Sequence, residues 1–69
     1  MRAVSGRELA RIIERHGWVL QRIHSSHHIY VKPGRNVRLS IPIHGNRPLK
    51  IGLLSHLVKA AGLSDEELE

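Results

Sequence analysis

Within 69 residues the spacing of apolar side chains changes from helical to alternating and back to helical. That double switch restricts the chain to a helix–sheet–helix order. Leu9, Ile12, Ile13 and His16 recur at three- and four-residue steps. Ser5-Gly6-Arg7-Glu8 ahead of them is a capping box, and Gly17 behind them is a natural stop. The spacing predicts a first helix over about residues 6–16, with Arg7, Arg11, Glu14 and Arg15 on its polar side. From Trp18 the period falls to two, which predicts strands over 18–23, 28–32 and 37–43. His24-Ser25-Ser26-His27 forms the first turn and Pro33-Gly34-Arg35-Asn36 the second. A loop over 44–48 leads to a second helix at about 49–61. Its stripe is Ile51, Leu54, Leu57, Val58 and Ala61, and Gly62 ends it. Ser64 then caps a short acidic turn.

Two amphipathic helices can cover only one face of a three-stranded antiparallel sheet. The expected class is therefore α+β, in the order α-β-β-β-α, with both helices on one face. In the third strand Val37, Leu39, Ile41 and Ile43 alternate with Arg38, Ser40, Pro42 and His44. In the second, Ile29 and Val31 alternate with His28, Tyr30 and Lys32. Strict alternation buries one face and wets the other. This reading sets His28, Tyr30, Lys32, Arg38 and Ser40 together on the open face. The double-stranded-RNA-binding domain has the same element order, but order alone does not establish function.

The length predicts a single domain over residues 1–69. A chain this short buries only about 60% of the surface its unfolded form exposes, so an active site is expected on an open surface. With no cysteine, neither a disulfide framework nor a thiolate zinc site is available, and cytoplasmic residence is expected. The apolar runs are too short for a membrane span. Met1-Arg2-Ala3-Val4-Ser5-Gly6 offers no secretory segment.

Charge is distributed unevenly. Of six acids, Asp65, Glu66, Glu67 and Glu69 fall in the last five residues. Residues 1–64 set eleven Lys and Arg against Glu8 and Glu14 alone, a net of +9. A body this basic attracts polyanions by neutralising phosphates and releasing counterions, which points to nucleic acid.

Six histidines are many for such a chain. His16 suits the C-terminal end of a helix dipole, His56 lies beside an apolar stripe, and His24 and His27 flank a serine turn. His28 differs, because it opens a strand in the company of Tyr30, Lys32 and Arg38. An imidazole can take or give a proton near neutral pH. RNA supplies its own nucleophile, the 2′-hydroxyl, so cleaving it needs a base, cations for the growing phosphorane charge, and an acid for the leaving oxygen. Position and neighbours leave two roles open for His28, catalysis or a phosphate or sugar contact. No cofactor is implied. A metal site at His24, His27 and His28 is disfavoured, because neighbours on a strand point to opposite faces and no acid or cysteine lies nearby to complete the shell. Ser25, Ser26 and Ser40 have no acid to orient a nucleophilic relay. Trp18 and Tyr30 are too few for a stacking platform, and Trp18 reads as core.

Three segments together resemble the HicA (YcfA-like) toxins of toxin–antitoxin pairs. They are the first helix with Gly17-Trp18 and its strand, then Ser25-Ser26-His27-His28-Ile29-Tyr30, then Ile41-Pro42-Ile43-His44-Gly45 with Leu49-Lys50, Gly52 and Ala61-Gly62-Leu63-Ser64. The resemblance implies a double-stranded-RNA-binding-like fold and endonucleolytic, metal-independent cleavage of single-stranded mRNA. It also implies a cognate HicB-type antitoxin covering the active face. The chain would then be a monomer when free and a hetero-oligomer with the antitoxin. The family's catalytic histidine maps to His28 and its serine to Ser26. Ser25 stands where the family usually has glycine, which costs energy if that position needs a positive φ. His44 matches a family position as an RNA contact or structural residue. Lys32 and Arg38 are expected to bind phosphate, and His27 and Tyr30 to line the RNA. The competing reading is a non-catalytic RNA-binding module using the same face.

Overall fold

The computed structural model describes residues 1–68; Glu69 of the acidic tail lies outside them. It has α1 (Gly6–Arg15), β1 (Val19–His24), β2 (His27–Val31), β3 (Leu39–Pro42) and α2 (Ile51–Ala61), followed by a 3₁₀ turn over Asp65–Leu68. The α-β-β-β-α order and α+β class stand as expected.

Local chemistry sets the helix ends. Ser5 Oγ accepts from the Glu8 amide at 3.0 Å, but Glu8 does not reach back. Its carboxylate turns to Arg2 at 2.7 Å instead, and the Arg2 hydrogen bond holds it below the usual carboxylate range. Gly17, with φ +94°, turns the chain out of α1, and Gly62, with φ +76°, closes α2. No side chain caps the start of α2. Its entry is fixed by the N-terminal segment, through a Ser5–Pro48 bridge and a 2.9 Å bond from the Leu49 amide to the Val4 carbonyl.

The sheet is antiparallel in the order β1-β2-β3. β2 pairs with β3 as His28 to Ile41, Ile29 to Ser40 and Tyr30 to Leu39. Directly paired residues share a face. His28 and Tyr30 therefore lie on the helix-covered side with Ile41 and Leu39, whereas Ile29 and Val31 lie on the open side with Ser40. This corrects the face expected for β2. Its sequence is apolar on both faces, so alternation alone does not choose between them. The deciding contact is tertiary: Tyr30 is 2% exposed and donates its hydroxyl to Glu14 of α1 at 2.6 Å. Burial, then the Glu14 carboxylate, raise the phenol's pKa above its ordinary value. In β3 the expected alternation holds, with Leu39 and Ile41 buried and Ser40 exposed.

Both helices pack over β3, and β1 is left as an uncovered edge strand. A register shift between Leu20 and Arg22 places one extra residue in β1, so Leu20 and Ile23, three apart, both face inward opposite Tyr30 and His28. Two inward rows thus run from burial to solvent. One is Leu39, Tyr30 and Leu20; the other is Ile41, His28 and Ile23, with Ile41 fully buried and Ile23 56% exposed.

Val4, Leu9, Ala10, Ile12, Ile13, Trp18, Leu54, Leu57, Val58, Ala61 and Leu68 complete the core. Two stripe residues fall outside it: Val37 is exposed beyond the short β3, and Ile51 is 61% exposed at the first turn of α2. Gly6 lets α1 press onto the end of β3, because a Cβ there would stand 2.0 Å from the Pro42 carbonyl oxygen. Arg35 folds back from the β2–β3 loop over the Trp18 ring at 5.5 Å and donates to the Ala60 carbonyl at 2.6 Å. The acidic turn is docked by buried Leu68, by Arg2 donating to the Leu68 carbonyl, and by His16. The His16 ring faces the Ile12 carbonyl at 2.9 Å and the Glu67 carboxylate at 3.0 Å.

Candidate functional site

The site is assembled where the β1–β2 turn meets the end of β3. Ser25 turns the chain with φ +57°, the single positive φ outside glycine among the described residues. The Ser26 carbonyl then accepts from the Ile43 amide at 2.9 Å, and His27 pairs with Pro42. This pairing brings the 44–48 loop against the turn. Ser26 Oγ and His44 Nε2 lie 3.5 Å apart, with the donor set by the histidine tautomer.

His28 occupies the boundary in its row between buried Ile41 and exposed Ile23. Its ring is half-buried, and Nδ1 is closed off from solvent without a hydrogen-bond partner among the described residues. A buried ring nitrogen left unpaired carries a desolvation cost that packing does not require. Adjacent His27 is exposed on the opposite, open face. Among the described residues no group of three metal-ligating side chains converges.

Other expected site residues are placed differently. Tyr30 is sealed in the core and cannot line an RNA strand, which corrects its expected role. Lys32 and Arg38 flank the loop at the far end of the β2–β3 hairpin, with Lys32 against Gly17. Three strand residues separate Lys32 from His28, which sets their Cα atoms roughly 13 Å apart. The cations grouped with His44 are Arg47 and Lys50. With His44 they border a concavity of about 390 Å³ whose walls are Pro42, Pro48, Leu49 and Leu53. A second concavity of about 410 Å³, on the far side of Pro48, is lined by Ala3, Ser5, Arg7, Glu8, Arg11 and Asn46. Periodicity does not single out Arg47 and Lys50, which sit in an irregular loop and at a helix start, where no period assigns a direction. The available signal is that they bracket Pro48-Leu49, with Arg47 three residues after His44.

Fold and site define a small, strongly basic α+β domain with a half-buried histidine on a ledge of its sheet. The family model for the HicA toxin of bacterial toxin–antitoxin systems matches residues 6–63, and the chain belongs to that family. It is accordingly a toxin of a toxin–antitoxin system, with an antitoxin as its partner. No curated protein sequence matches at a significant level. Among the described residues no helix is long and apolar enough to cross a membrane.

Proposed function

We propose that this toxin is a metal-independent endoribonuclease acting on single-stranded mRNA in the cytoplasm, with His28 as the general base. The observation that carries the proposal is the His28 ring, held between core and solvent with its buried Nδ1 unpartnered. The outer nitrogen is the one open to a ligand. It takes the proton of a ribose 2′-hydroxyl, whose oxygen attacks the adjacent phosphorus. The P–O5′ bond breaks, the 5′-oxygen takes a proton from solvent water, and a 2′,3′-cyclic phosphate is left. Ser26 and His44 line the RNA around this centre, and His27 contacts the strand from the open face of the sheet. Arg47 and Lys50 supply the nearby positive charge, and Lys32 and Arg38 meet flanking phosphates at the other end of the hairpin. The partner is a HicB-type antitoxin covering the same surface, the toxin being monomeric when free and part of a hetero-oligomer when bound.

The test is cleavage of a defined RNA in EDTA by the wild type and by His28→Ala, with folding checked by circular dichroism. Loss of a general base should lower the rate by about 10²- to 10⁴-fold and leave most RNA affinity intact. A folded, pure His28→Ala protein that cleaves at the wild-type rate refutes the assignment. RNA binding by a wild type that never cleaves would favour the non-catalytic module.

A further inference from the structure

RNA-binding surfaces commonly fix unpaired bases by stacking them on exposed aromatic rings or on arginine guanidinium planes. This chain has one Trp, one Tyr and no Phe, and both rings are 2% exposed. Phosphate contacts alone hold a strand without fixing its bases, and the aromatic rings left at the surface are the small imidazoles of histidine, so an apolar hollow is the other feature able to hold a base. The two concavities beside the 44–48 loop differ in what they offer. The one lined by Arg7 and Arg11 also includes Glu8. Its carboxylate is kept ionised by Arg2, which works against an incoming phosphate. The other has no acid in its lining. Pro42, Pro48, Leu49 and Leu53 make its apolar walls, and His44, Arg47 and Lys50 make its polar border.

We propose that this second concavity is a nucleobase subsite, taking one unpaired base against Pro48, Leu49 and Leu53 while Arg47 and Lys50 hold the phosphates on either side. The proposal rests on the reading of the chain as an RNA-directed toxin and adds which part of the RNA is recognised, and where. A base has apolar faces and is flanked in the strand by two anionic phosphodiesters; apolar walls with a cationic border complement that pattern. The walls are preformed. Leu49 and Leu53 pack against the core, the Leu49 amide is bonded to the Val4 carbonyl, and Pro48 is bridged to Ser5. Little ordering cost is therefore left for binding. The subsite abuts the proposed cleavage centre, since His44 meets Ser26 two residues before His28. The base it holds neighbours the cut phosphate, and the shape of this concavity sets the cleavage preference.

The experiment measures binding of the full chain to a fluorescent twelve-nucleotide 2′-O-methyl RNA, which lacks the attacking hydroxyl, and to a series with one abasic residue moved along it. The wild type should show one position where losing the base weakens binding about fivefold, the lower end of the range for a base stacked on an aromatic ring. Leu53→Ser should erase that penalty. Leu53 touches the core, so Arg47→Gln, at an exposed residue, serves as the second variant and should also reduce it. A flat profile in the wild type overturns the subsite. So does a positional penalty unchanged in both folded variants. Failure of the ribonuclease reading looks different: a wild type with the positional penalty that leaves unmodified RNA intact refutes cleavage and supports the subsite.

Discussion

Consider the same substitution, glycine to alanine, at the start of each helix. At Gly6 the new methyl carbon would stand 2.0 Å from the Pro42 carbonyl oxygen and 3.2 Å from Ile43 Cγ1, whereas at Gly52 it meets nothing within 4 Å. Ordinary contact begins near 3.4 Å, so Gly6→Ala requires α1 or the end of β3 to retreat by more than an ångström. The obstacle is backbone rather than the tip of a flexible side chain. Overpacking of this kind costs about 1–3 kcal/mol, and the alanine preference of a helix returns at most about 1 kcal/mol. The net expectation is a loss of about 2 kcal/mol for Gly6→Ala and a gain of about 0.5 kcal/mol for Gly52→Ala. At roughly 4–8 °C per kcal/mol for a domain this size, the two melting temperatures should separate by about 10–20 °C. Denaturation followed by circular dichroism and by the single tryptophan measures both. Since Pro42 and Ile43 lead into His44, Gly6→Ala should also weaken RNA binding beyond its effect on folding. Equal shifts at the two positions would refute the reasoning, because the close approach at Gly6 would then not be what seats α1 on β3.

Ser25 holds φ +57°, so Ser25→Gly relieves a left-handed cost of about 1 kcal/mol and should raise the denaturation midpoint, with no change in the denaturant slope. The single phenol, bonded to Glu14, has its folded pKa raised. Its contribution is complete below the unfolded value near 10 and is lost as pH rises through the folded one. Ultraviolet titration should therefore show Tyr30 ionising only as the chain unfolds, and early ionisation in the native protein would contradict its burial. Glu67 is held below the usual carboxylate range by the Ser64 amide first and then by His16. Its contribution is present above the unfolded carboxylate value near 4.3 and is lost as pH falls through the lower folded one. The Ser64 amide resonance should move in that acid window in the wild type and stay still in Glu67→Gln.

Much of this protein is local in origin. The helix lengths follow from a 3.6-residue stripe closed by Gly17 and Gly62, and the three strands from an alternating period between turns. The net +9 of residues 1–64 is a sum over residues and needs no fold. The cost at Ser25 was conditional and came from the family resemblance, where glycine usually stands; the φ of +57° supplies the condition. The orientation of β2 was not legible. His28-Ile29-Tyr30-Val31 carries side chains that can be buried on either face, so a one-residue choice of register reverses every assignment. Glu14, sixteen residues earlier in the chain, makes that choice by accepting the Tyr30 hydroxyl. The same choice takes His28 off the open face and sets it between Ile41 and Ile23, on the side opposite Ser40. Likewise only the closing of the 44–48 loop against the turn brings His44 to Ser26 and arranges Arg47 and Lys50 around an apolar hollow. Periodicity determines which side chains can share a face of one element. Which face is covered, and what stands across from it, depends on contacts between residues far apart in the chain.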